Sequence, residues 1–169
     1  MKNINVKDEI GIYSNEKMVF YIPFCSFSCR DSCLAGFHIG KKMDAEDYLV
    51  LGIEKGSMGS HYEAIKQFKK ALKEDPDFVA AYLALGNAYG NAKKYKDAIN
   101  AYKEGIQINP RHKYVPQMEI NIAWVSHKNY DDKTAIIFTK KAIQSFTDRN
   151  DYKGVAEAGT LLRLFQNTK

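Results

Sequence analysis

The chain has 169 residues, of which 45% are hydrophobic and 27% are charged. This composition is typical of one folded domain with an appended segment, and it is sufficient to bury a sizeable core. The net charge of +5 comes from 25 basic and 20 acidic residues that are mixed along the sequence. The densest lysine run is interpreted as a solvated helix face and comprises Lys66, Lys69, Lys70 and Lys73. Nucleic-acid binders usually add arginines and stacking aromatics, so nucleic acid is not an expected partner.

Residues 1–44 form an amino-terminal segment without any repeat, and its VFYIPF stretch has strand-like composition. Its candidate metal ligands are Cys25, Cys29, Cys33 and His38. Three thiolates and an imidazole are suitable ligands for zinc or an iron-sulfur cluster, although a tight zinc site usually has a second cysteine pair. The alternatives are a helix from Pro23 to about Ala35 with the cysteines buried on one face as an amino-terminal cap, or no fixed structure.

The same segment contains the longest uncharged stretch near the amino end, MVFYIPFCSFSC. It is too short to span a bilayer and contains a proline. Asp8, Glu9 and Glu16 precede it, whereas a secretory leader normally lacks acidic residues. Free cysteines without a leader favour a reducing compartment, so the sequence predicts a cytoplasmic protein with no membrane partner.

The string YIPFCSFSC, within residues 21–33, resembles the start of the cysteine motif of radical S-adenosylmethionine enzymes. That resemblance implies three thiolates on one iron-sulfur cluster. The second gap here is Arg30, Asp31 and Ser32, one residue longer than in that family. The chain also lacks the barrel of roughly 200 residues that would enclose the cofactor. We therefore assign no catalytic role to these cysteines and expect no cofactor.

From Tyr48 onward, a set of residues recurs after 34 positions. The matching pairs are Tyr48 and Tyr82, Leu51 and Leu85, Gly52 and Gly86, Ala64 and Ala98, Phe68 and Tyr102, Ala71 and Gly105, and Pro76 and Pro110. Two helical patterns lie within each period, so each period predicts one helix-turn-helix unit. The small residues allow two helices to approach closely, the large ones fill the space between them, and the prolines end the second helix.

These residues resemble the tetratricopeptide repeat family. The resemblance implies an all-α fold in which helix-turn-helix repeats stack into a superhelical solenoid. We predict a first repeat at residues 45–78, a second at 79–112, a degenerate third at 113–149 and a capping helix at 150–169. The alternative for the last segment is the first helix of a truncated fourth repeat.

The third repeat has Ile122 and Ala123 in place of Leu-Gly, in a register displaced by three residues. Ala135 and Ala142 keep the spacing of the small positions. Polar residues replace the aromatic positions and the closing proline of the family, namely Glu119, Ser126, Thr139 and Thr147. The capping segment that follows has apolar residues at helical spacing, namely Val155, Ala158, Leu161, Leu162 and Phe165.

In the family, the first helix of each repeat lines a concave groove that binds a partner peptide or helix. The residues at the contacting positions of this chain are Glu46, Leu49, Ile53, Gly56, Ser57, Ala80, Leu83, Asn87, Gly90, Asn91, Gln117, Ile120, Trp124, His127 and Lys128. We predict that the partner-binding subset is Leu49, Ile53, Leu83, Asn87, Asn91, Gln117, Ile120 and Trp124.

The predicted groove lacks the basic residues with which some family members clamp the carboxyl terminus of heat-shock chaperones. We therefore expect a partner segment with apolar side chains, whose backbone bonds to Asn87 and Gln117 and whose anchor is Trp124. The alternative for Trp124 is burial between repeats. The alternative for the apolar positions, represented by Leu83, is packing on the neighbouring first helix.

The sequence contains no combination of residues that indicates catalysis. The four histidines, His38, His61, His112 and His127, are scattered and accompany neither a nucleophile nor paired carboxylates. The sequence therefore predicts a non-catalytic adaptor that binds another protein. Two alternatives remain, a self-assembling protein whose groove accepts VFYIPF of a neighbouring copy, and a metal or redox sensor that uses the cysteine segment.

Overall fold

The computed structural model describes residues 42–167. This part of the chain contains seven α-helices and no strand. The helices are α1 (Ala45–Ser57), α2 (His61–Glu74), α3 (Val79–Asn91), α4 (Tyr95–Ile108), α5 (Val115–Lys128), α6 (Asp132–Thr147) and α7 (Tyr152–Asn167). The predicted all-α class is confirmed for these residues. The cysteine segment, His38 and VFYIPF lie outside the described residues.

The helices pack as antiparallel pairs, α1 with α2, α3 with α4 and α5 with α6, and each pair packs on the next. Among the described helices, α1 also contacts α3 and α3 contacts α5, whereas α2, α4 and α6 have no comparable contacts with one another. In a curved stack the more closely spaced layer lies on the inside. The first helices of the pairs therefore form the inner, concave layer.

Each turn between paired helices contains one residue with a left-handed backbone. These residues are Gly59 with φ of 76°, Lys93 with φ of 59° and Tyr130 with φ of 60°. Glycine adopts this conformation without steric cost, whereas lysine and tyrosine do not. The second and third turns therefore keep the geometry of the first without its glycine.

The core consists of apolar clusters that each join successive helix pairs. The first cluster contains Ala64, Ile65, Phe68, Leu85, Ala88 and Ala101. The second contains Val79, Ala98, Tyr102, Met118, Ile122 and Val125. Because every cluster draws residues from two neighbouring pairs, no pair has a complete core by itself. This is the packing of a solenoid.

A glycine faces an aromatic ring in the first two helix pairs. A β-carbon added to Gly52 would lie 2.6 Å from Cδ1 of Phe68, and one added to Gly86 would lie 2.5 Å from Cδ1 of Tyr102. Both distances are far below ordinary carbon contact, so α1 and α3 can approach their partners only through a residue without a side chain. The predicted pairing of small and large residues is confirmed here.

The third helix pair has a smaller difference in size at these two positions. Ala123 and Thr139 are both fully buried at the positions of the glycine and the aromatic ring. Thr139 is small enough to leave room for the β-carbon of Ala123, and its hydroxyl donates to the backbone oxygen of Ala135 at 2.8 Å. The degenerate repeat therefore keeps its close packing with a different pair of side chains.

Two polar residues of α5 are buried at positions where the second repeat has Tyr82 and Tyr89. Glu119 is 7% exposed and Ser126 is fully buried. Within residues 42–167, the Oε2 atom of Glu119 and the hydroxyl of Ser126 have no hydrogen-bond partner. Burial raises the pKa of Glu119, and the neighbouring side chains of Ser145, Lys141 and Arg149 oppose this shift. These groups make the α5–α6 contact the most polar part of the described core.

The connection between α4 and α5 is longer than that between α2 and α3, as the displaced register predicts. Arg149, just after α6, stabilises this connection by donating from Nη2 to the backbone oxygen of His112 at 2.8 Å and to that of Arg111 at 3.2 Å. A guanidinium can satisfy two carbonyl groups at once because its donors point in fixed directions. The longer loop is thus tied to the end of the third pair.

Helix α7 packs on α6 and covers the last apolar face of the stack. Gly154 meets the ring of Phe146, where a β-carbon would lie 2.6 Å from Cε1. Phe165 is buried in one cluster with Ala123 and Ala135, and Ala158 is fully buried as well. The predicted capping helix is confirmed. None of the helices within residues 42–167 combines the length and apolarity that a bilayer crossing requires.

Candidate functional site

The inner layer presents side chains from α1, α3 and α5, and this surface is called the groove below. Ile53 of α1 is 54% exposed, and Trp124 of α5 is 36% exposed. Asn87 and Asn91 of α3 and Gln117 of α5 are also exposed, while Leu49, Leu83 and Ile120 are half-buried. The structure therefore brings the eight predicted residues onto three adjacent helices.

A chain of side-chain hydrogen bonds crosses the groove between α3 and α5. Gln117 Nε2 donates to Asn121 Oδ1 at 2.9 Å, and Asn121 Nδ2 donates to Asn87 Oδ1 at 2.9 Å. Tyr102 of α4 donates its hydroxyl to the same Asn87 Oδ1 at 2.7 Å. A carbonyl oxygen accepts two hydrogen bonds, so this oxygen is saturated.

Because the Oδ1 atom of Asn87 already accepts two hydrogen bonds, only the Nδ2 group of this side chain remains available to a ligand. Burial raises the pKa of Tyr102 well above its ordinary value, although the side chain of Asn121 opposes the shift. The phenol therefore stays protonated and remains a donor to Asn87. Since both acceptor positions of Asn87 are used, its Nδ2 group is left as a donor, and it forms no hydrogen bond within residues 42–167.

A cleft of about 280 Å³ lies beside this network. Its lining consists of Asn87, Gly90, Asn91, Tyr102, Asn121, Trp124, Val125 and Lys128. Gly90 lies beside Val125 in this cleft, and a β-carbon added to it would make an ordinary contact of 3.6 Å with Cγ2 of Val125. The cleft combines an apolar wall at Trp124 and Val125 with amide donors and one lysine.

Trp124 is partly packed and partly open. Its ring meets that of Phe165 edge-on, with centroids 5.5 Å apart and an interplanar angle of 88°. Such an arrangement is favourable for aromatic pairs and holds the indole in one orientation. The side chain of Trp124 is therefore partly buried against Phe165, as one prediction has it, and partly exposed to a ligand, as the other has it.

Some of the predicted apolar groove residues are packed in the core, and others are open to solvent. Leu49 packs against the first core cluster and Leu83 against the second, as the packing alternative predicts. Ile53 is the apolar groove residue that is most open to solvent among the eight. Direct contact with a ligand is therefore most available to Ile53 and Trp124.

Sequence reasoning missed Asn121 and the polar role of Tyr102. Asn121 follows Asn87 by 34 residues, which is the repeat period itself. The displaced register of the third repeat selected Trp124 as the equivalent of Asn87 and so passed over Asn121. A second comparison at the undisplaced period would have found it. The repeat pattern predicts only that Tyr102 fills the space between helices, and it gives no sign of the hydrogen bond to Asn87.

The histidines form no catalytic arrangement in the described part. His127 Nδ1 lies 2.6 Å from Oδ1 of Asp132, which joins the end of α5 to the start of α6. The His127 ring also packs on Phe165 at a centroid distance of 4.7 Å. Among residues 42–167, no group of three histidine, cysteine, aspartate or glutamate side chains is placed to hold a metal ion.

Comparison with protein families agrees with the geometry. Residues 79–112 match the family described as Tetratricopeptide repeat, and residues 57–93 match the family described as TPR repeat. The chain contains tetratricopeptide repeats. The matched residues span α2 to α4 and include Asn87 and the Gly86–Tyr102 contact.

Comparison with curated proteins finds a relative whose name includes the same repeat. The chain is 32% identical over 82 residues to small glutamine-rich tetratricopeptide repeat-containing protein 2 of Mycosarcoma maydis, which covers 46% of this chain and 23% of that protein. The chain thus spans less than a quarter of that relative's length.

Two solved structures that are similar to the chain are peptide complexes. The TPR2B domain of yeast Sti1, in its pHsp70 complex, superposes with a TM-score of 0.68 at 17% identity, covering 74% of this chain and 98% of that one. The Yersinia enterocolitica type III secretion chaperone SycD, in complex with a peptide of the translocator YopD, superposes with a TM-score of 0.64 at 17% identity. That match covers 72% of this chain and 91% of SycD.

Proposed function

We propose that this tetratricopeptide repeat stack is a non-catalytic adaptor that binds a segment of another protein in the groove. The observation that carries the proposal is the fixed donor at Asn87. Asn87 is exposed and lines the cleft, its oxygen is saturated inside the fold, and its nitrogen forms no hydrogen bond within residues 42–167. Such an amide is prepared to donate to an acceptor of a ligand. A peptide backbone supplies such an acceptor at every residue.

The rest of the groove fits the other groups of a peptide. The Oε1 atom of Gln117 is an acceptor that forms no hydrogen bond within the described residues, so it complements a backbone N–H. Ile53 and Trp124 offer apolar surface on either side of the amides. A segment with apolar side chains and an accessible backbone matches both features.

The indole of Trp124 is suited to be the main anchor. Aromatic residues with one open face and a fixed orientation contribute more to binding than mobile side chains, because less conformational entropy is lost. Phe165 holds the orientation of this ring. We infer that most of the binding energy comes from the part of the groove formed by α5 and the part of α3 beside it.

The solved complexes support a protein partner. The Sti1 domain and SycD carry the same fold and are each described with a peptide or protein segment of another molecule. They share 17% identity with this chain, so their own partners are not assigned to it. The proposal therefore names the chemistry of the segment and leaves the identity of the partner to experiment.

A test starts from peptides selected on the wild-type protein from a random phage-displayed library. Each selected peptide is synthesised, and its affinity is measured by fluorescence anisotropy for the wild type and for Asn87→Asp. The carboxylate keeps an acceptor for Tyr102 and Asn121, but it replaces the outward donor with an acceptor. We expect affinity to fall by about tenfold, because one hydrogen bond is lost and a repulsive contact is gained.

The control for this experiment is Ile137→Glu. Ile137 is an exposed residue of α6, outside the groove, so its substitution adds the same negative charge at a different place. Affinity should stay unchanged in this variant, and both variants should keep the wild-type melting temperature within a few degrees. Equal affinities for wild type and Asn87→Asp would contradict the proposed role of Asn87. An equal loss of affinity in Asn87→Asp and Ile137→Glu would contradict the groove as the binding site.

A further inference from the structure

A second cleft lies on the other side of the stack from the groove. It has a volume of about 490 Å³, and its lining consists of Lys69, Leu72, Lys73, Tyr82, Leu85, Tyr89, Asp97, Asn100, Ala101 and Glu104. Helices α2 and α4 form its walls, and α3 forms its floor. Because successive helical residues are separated by about 100°, Tyr82, Leu85 and Tyr89 lie on the opposite face of α3 from Leu83 and Asn87. The cleft is therefore separate from the groove.

The two walls of this cleft carry opposite charges. The α2 wall has Lys69 and Lys73, and the α4 wall has Asp97 and Glu104. None of the four forms an ion pair within residues 42–167, so the charges do not neutralise one another across the cleft. Lys69 instead lies over the ring of Tyr89, with Nζ 5.8 Å from the centroid.

The floor between the walls is apolar but has polar groups at its edges. Its accessible apolar surface comes from Leu72 and from the rings of Tyr82 and Tyr89, which are half-buried. Leu85 and Ala101 are buried beneath them in the first core cluster. The hydroxyls of Tyr82 and Tyr89 donate to no acceptor within the described residues. Burial raises the pKa of Tyr82, and the carboxylates of Glu104 and Asp77 raise it further. The cleft thus has an apolar strip between a basic and an acidic edge, with unused donors beside it.

The dimensions of the cleft suit a short helical segment. Asp97 and Glu104 lie seven residues apart on α4, which corresponds to a length of about 10 Å, or two helical turns. A helix that presents an apolar stripe with an acidic flank on one side and a basic flank on the other would place each flank against the wall of opposite charge. An all-basic or all-acidic helix would meet repulsion at one wall.

We propose that the α2/α4 cleft is a second binding surface, which takes an amphipathic helix of a partner protein with oppositely charged flanks. The charges of the walls, which form no ion pair within residues 42–167, select the partner, and the floor provides apolar burial. Occupation of this cleft leaves the groove free, so the protein can hold two segments at the same time. This surface would make the adaptor a connector between two binding partners or between two parts of one partner.

The test uses three designed peptides of about fourteen residues, long enough to form a helix on binding. All share one leucine stripe. The mixed peptide has glutamates along one flank and lysines along the other, and the two comparison peptides have only lysines or only glutamates. Fluorescence anisotropy of labelled peptides should show that the mixed peptide binds the wild type about tenfold more tightly than either comparison peptide, as several ion pairs of modest strength would produce.

The decisive variant is Lys69→Glu/Lys73→Glu, which makes both walls acidic. In this variant the all-lysine peptide should become the tightest ligand, and the mixed peptide should weaken. The matched control is Lys66→Glu/Lys70→Glu, which makes the same charge change on α2 outside the cleft and should keep the preference of the wild type. Circular dichroism checks that both variants fold.

Several results would overturn the proposal. These are equal affinities for the three peptides, no detectable binding of the mixed peptide, or a change of preference in the control variant as large as that in the cleft variant. Loss of mixed-peptide binding in Asn87→Asp would instead place the peptide in the groove. Because the groove and the cleft are tested by different variants, failure of one proposal is distinguishable from failure of the other.

Discussion

Replacing Gly86 with alanine places a methyl group against the ring of Tyr102. The added β-carbon would lie 2.5 Å from Cδ1 of that ring. The ring has little freedom to move, because Tyr102 is 2% exposed and its hydroxyl is bonded to Asn87. Overpacking of this kind costs about 1–3 kcal/mol. Alanine is also the better helix former by about 1 kcal/mol, so the net loss of stability is about 0–2 kcal/mol.

A double-mutant cycle isolates the steric part. In the Tyr102→Thr background, which copies the Ala123 and Thr139 pair of the third repeat, the ring is absent and the methyl group has room. Gly86→Ala should then stabilise the protein by about 1 kcal/mol. The effect of the same substitution should therefore differ by about 1–3 kcal/mol between the two backgrounds.

The assay is urea unfolding followed by far-ultraviolet circular dichroism. Gly159→Ala is a matched control, because a β-carbon at Gly159 of α7 has nothing within 4 Å and should stabilise the helix by about 0.5–1 kcal/mol. Equal effects of Gly86→Ala in the wild-type and Tyr102→Thr backgrounds would refute the steric argument. A destabilising effect of Gly159→Ala would refute the helix-propensity contribution that is assumed for Gly86→Ala.

Three further predictions concern the third repeat. The folded state raises the pKa of Glu119, so the stability that this group contributes is present below its unfolded pKa and is lost as pH rises through its folded pKa. Between about pH 5 and pH 8, the unfolding free energy of Glu119→Gln should therefore fall by less than that of the wild type. Asp131 caps α6 by accepting from a backbone N–H at 3.0 Å, so Asp131→Ala should lower the unfolding free energy by about 1 kcal/mol, whereas Ser60→Ala should change little because Ser60 makes no side-chain cap bond. Trp124→Leu should cost about 0.5–1.5 kcal/mol in urea unfolding, since it removes the edge-on contact with Phe165, and an unchanged midpoint would contradict that contact.

The fold could be predicted from the sequence because a repeat period exposes which residues must be small and which large. Gly86 and Tyr102 occupy the positions that the pattern predicts, and the steric reason is visible in their contact. The same logic holds in the third repeat, where alanine replaces the glycine at Ala123 and the smaller threonine replaces the aromatic residue at Thr139. Complementary volumes leave a signal in the sequence even when the residue types change.

The details of the candidate site could not be predicted in the same way. The bond between Asn121 and Asn87 depends on how α5 is positioned against α3, and the longer connection before α5 moved the register that the sequence suggested. The burial of Glu119 also depends on packing between two helices rather than on any local pattern. Contacts between repeats, and polar contacts of the degenerate third repeat, therefore need the structure, whereas the contact of small with large residues within the first two repeats does not.

The measurement that tests the central claim most directly is a quantitative affinity pull-down from the lysate of the source cells. It compares the wild type with Ile53→Glu/Asn87→Asp, which changes two exposed groove residues, and with Ile137→Glu. Ile53 and Ile137 are 54% and 53% exposed, so the control matches the groove variant in exposure and in the residue introduced. The account predicts that the wild type and Ile137→Glu retain the same proteins and that the groove variant loses them. Retention of the same proteins by all three would contradict the account, because the groove would then not be the binding surface.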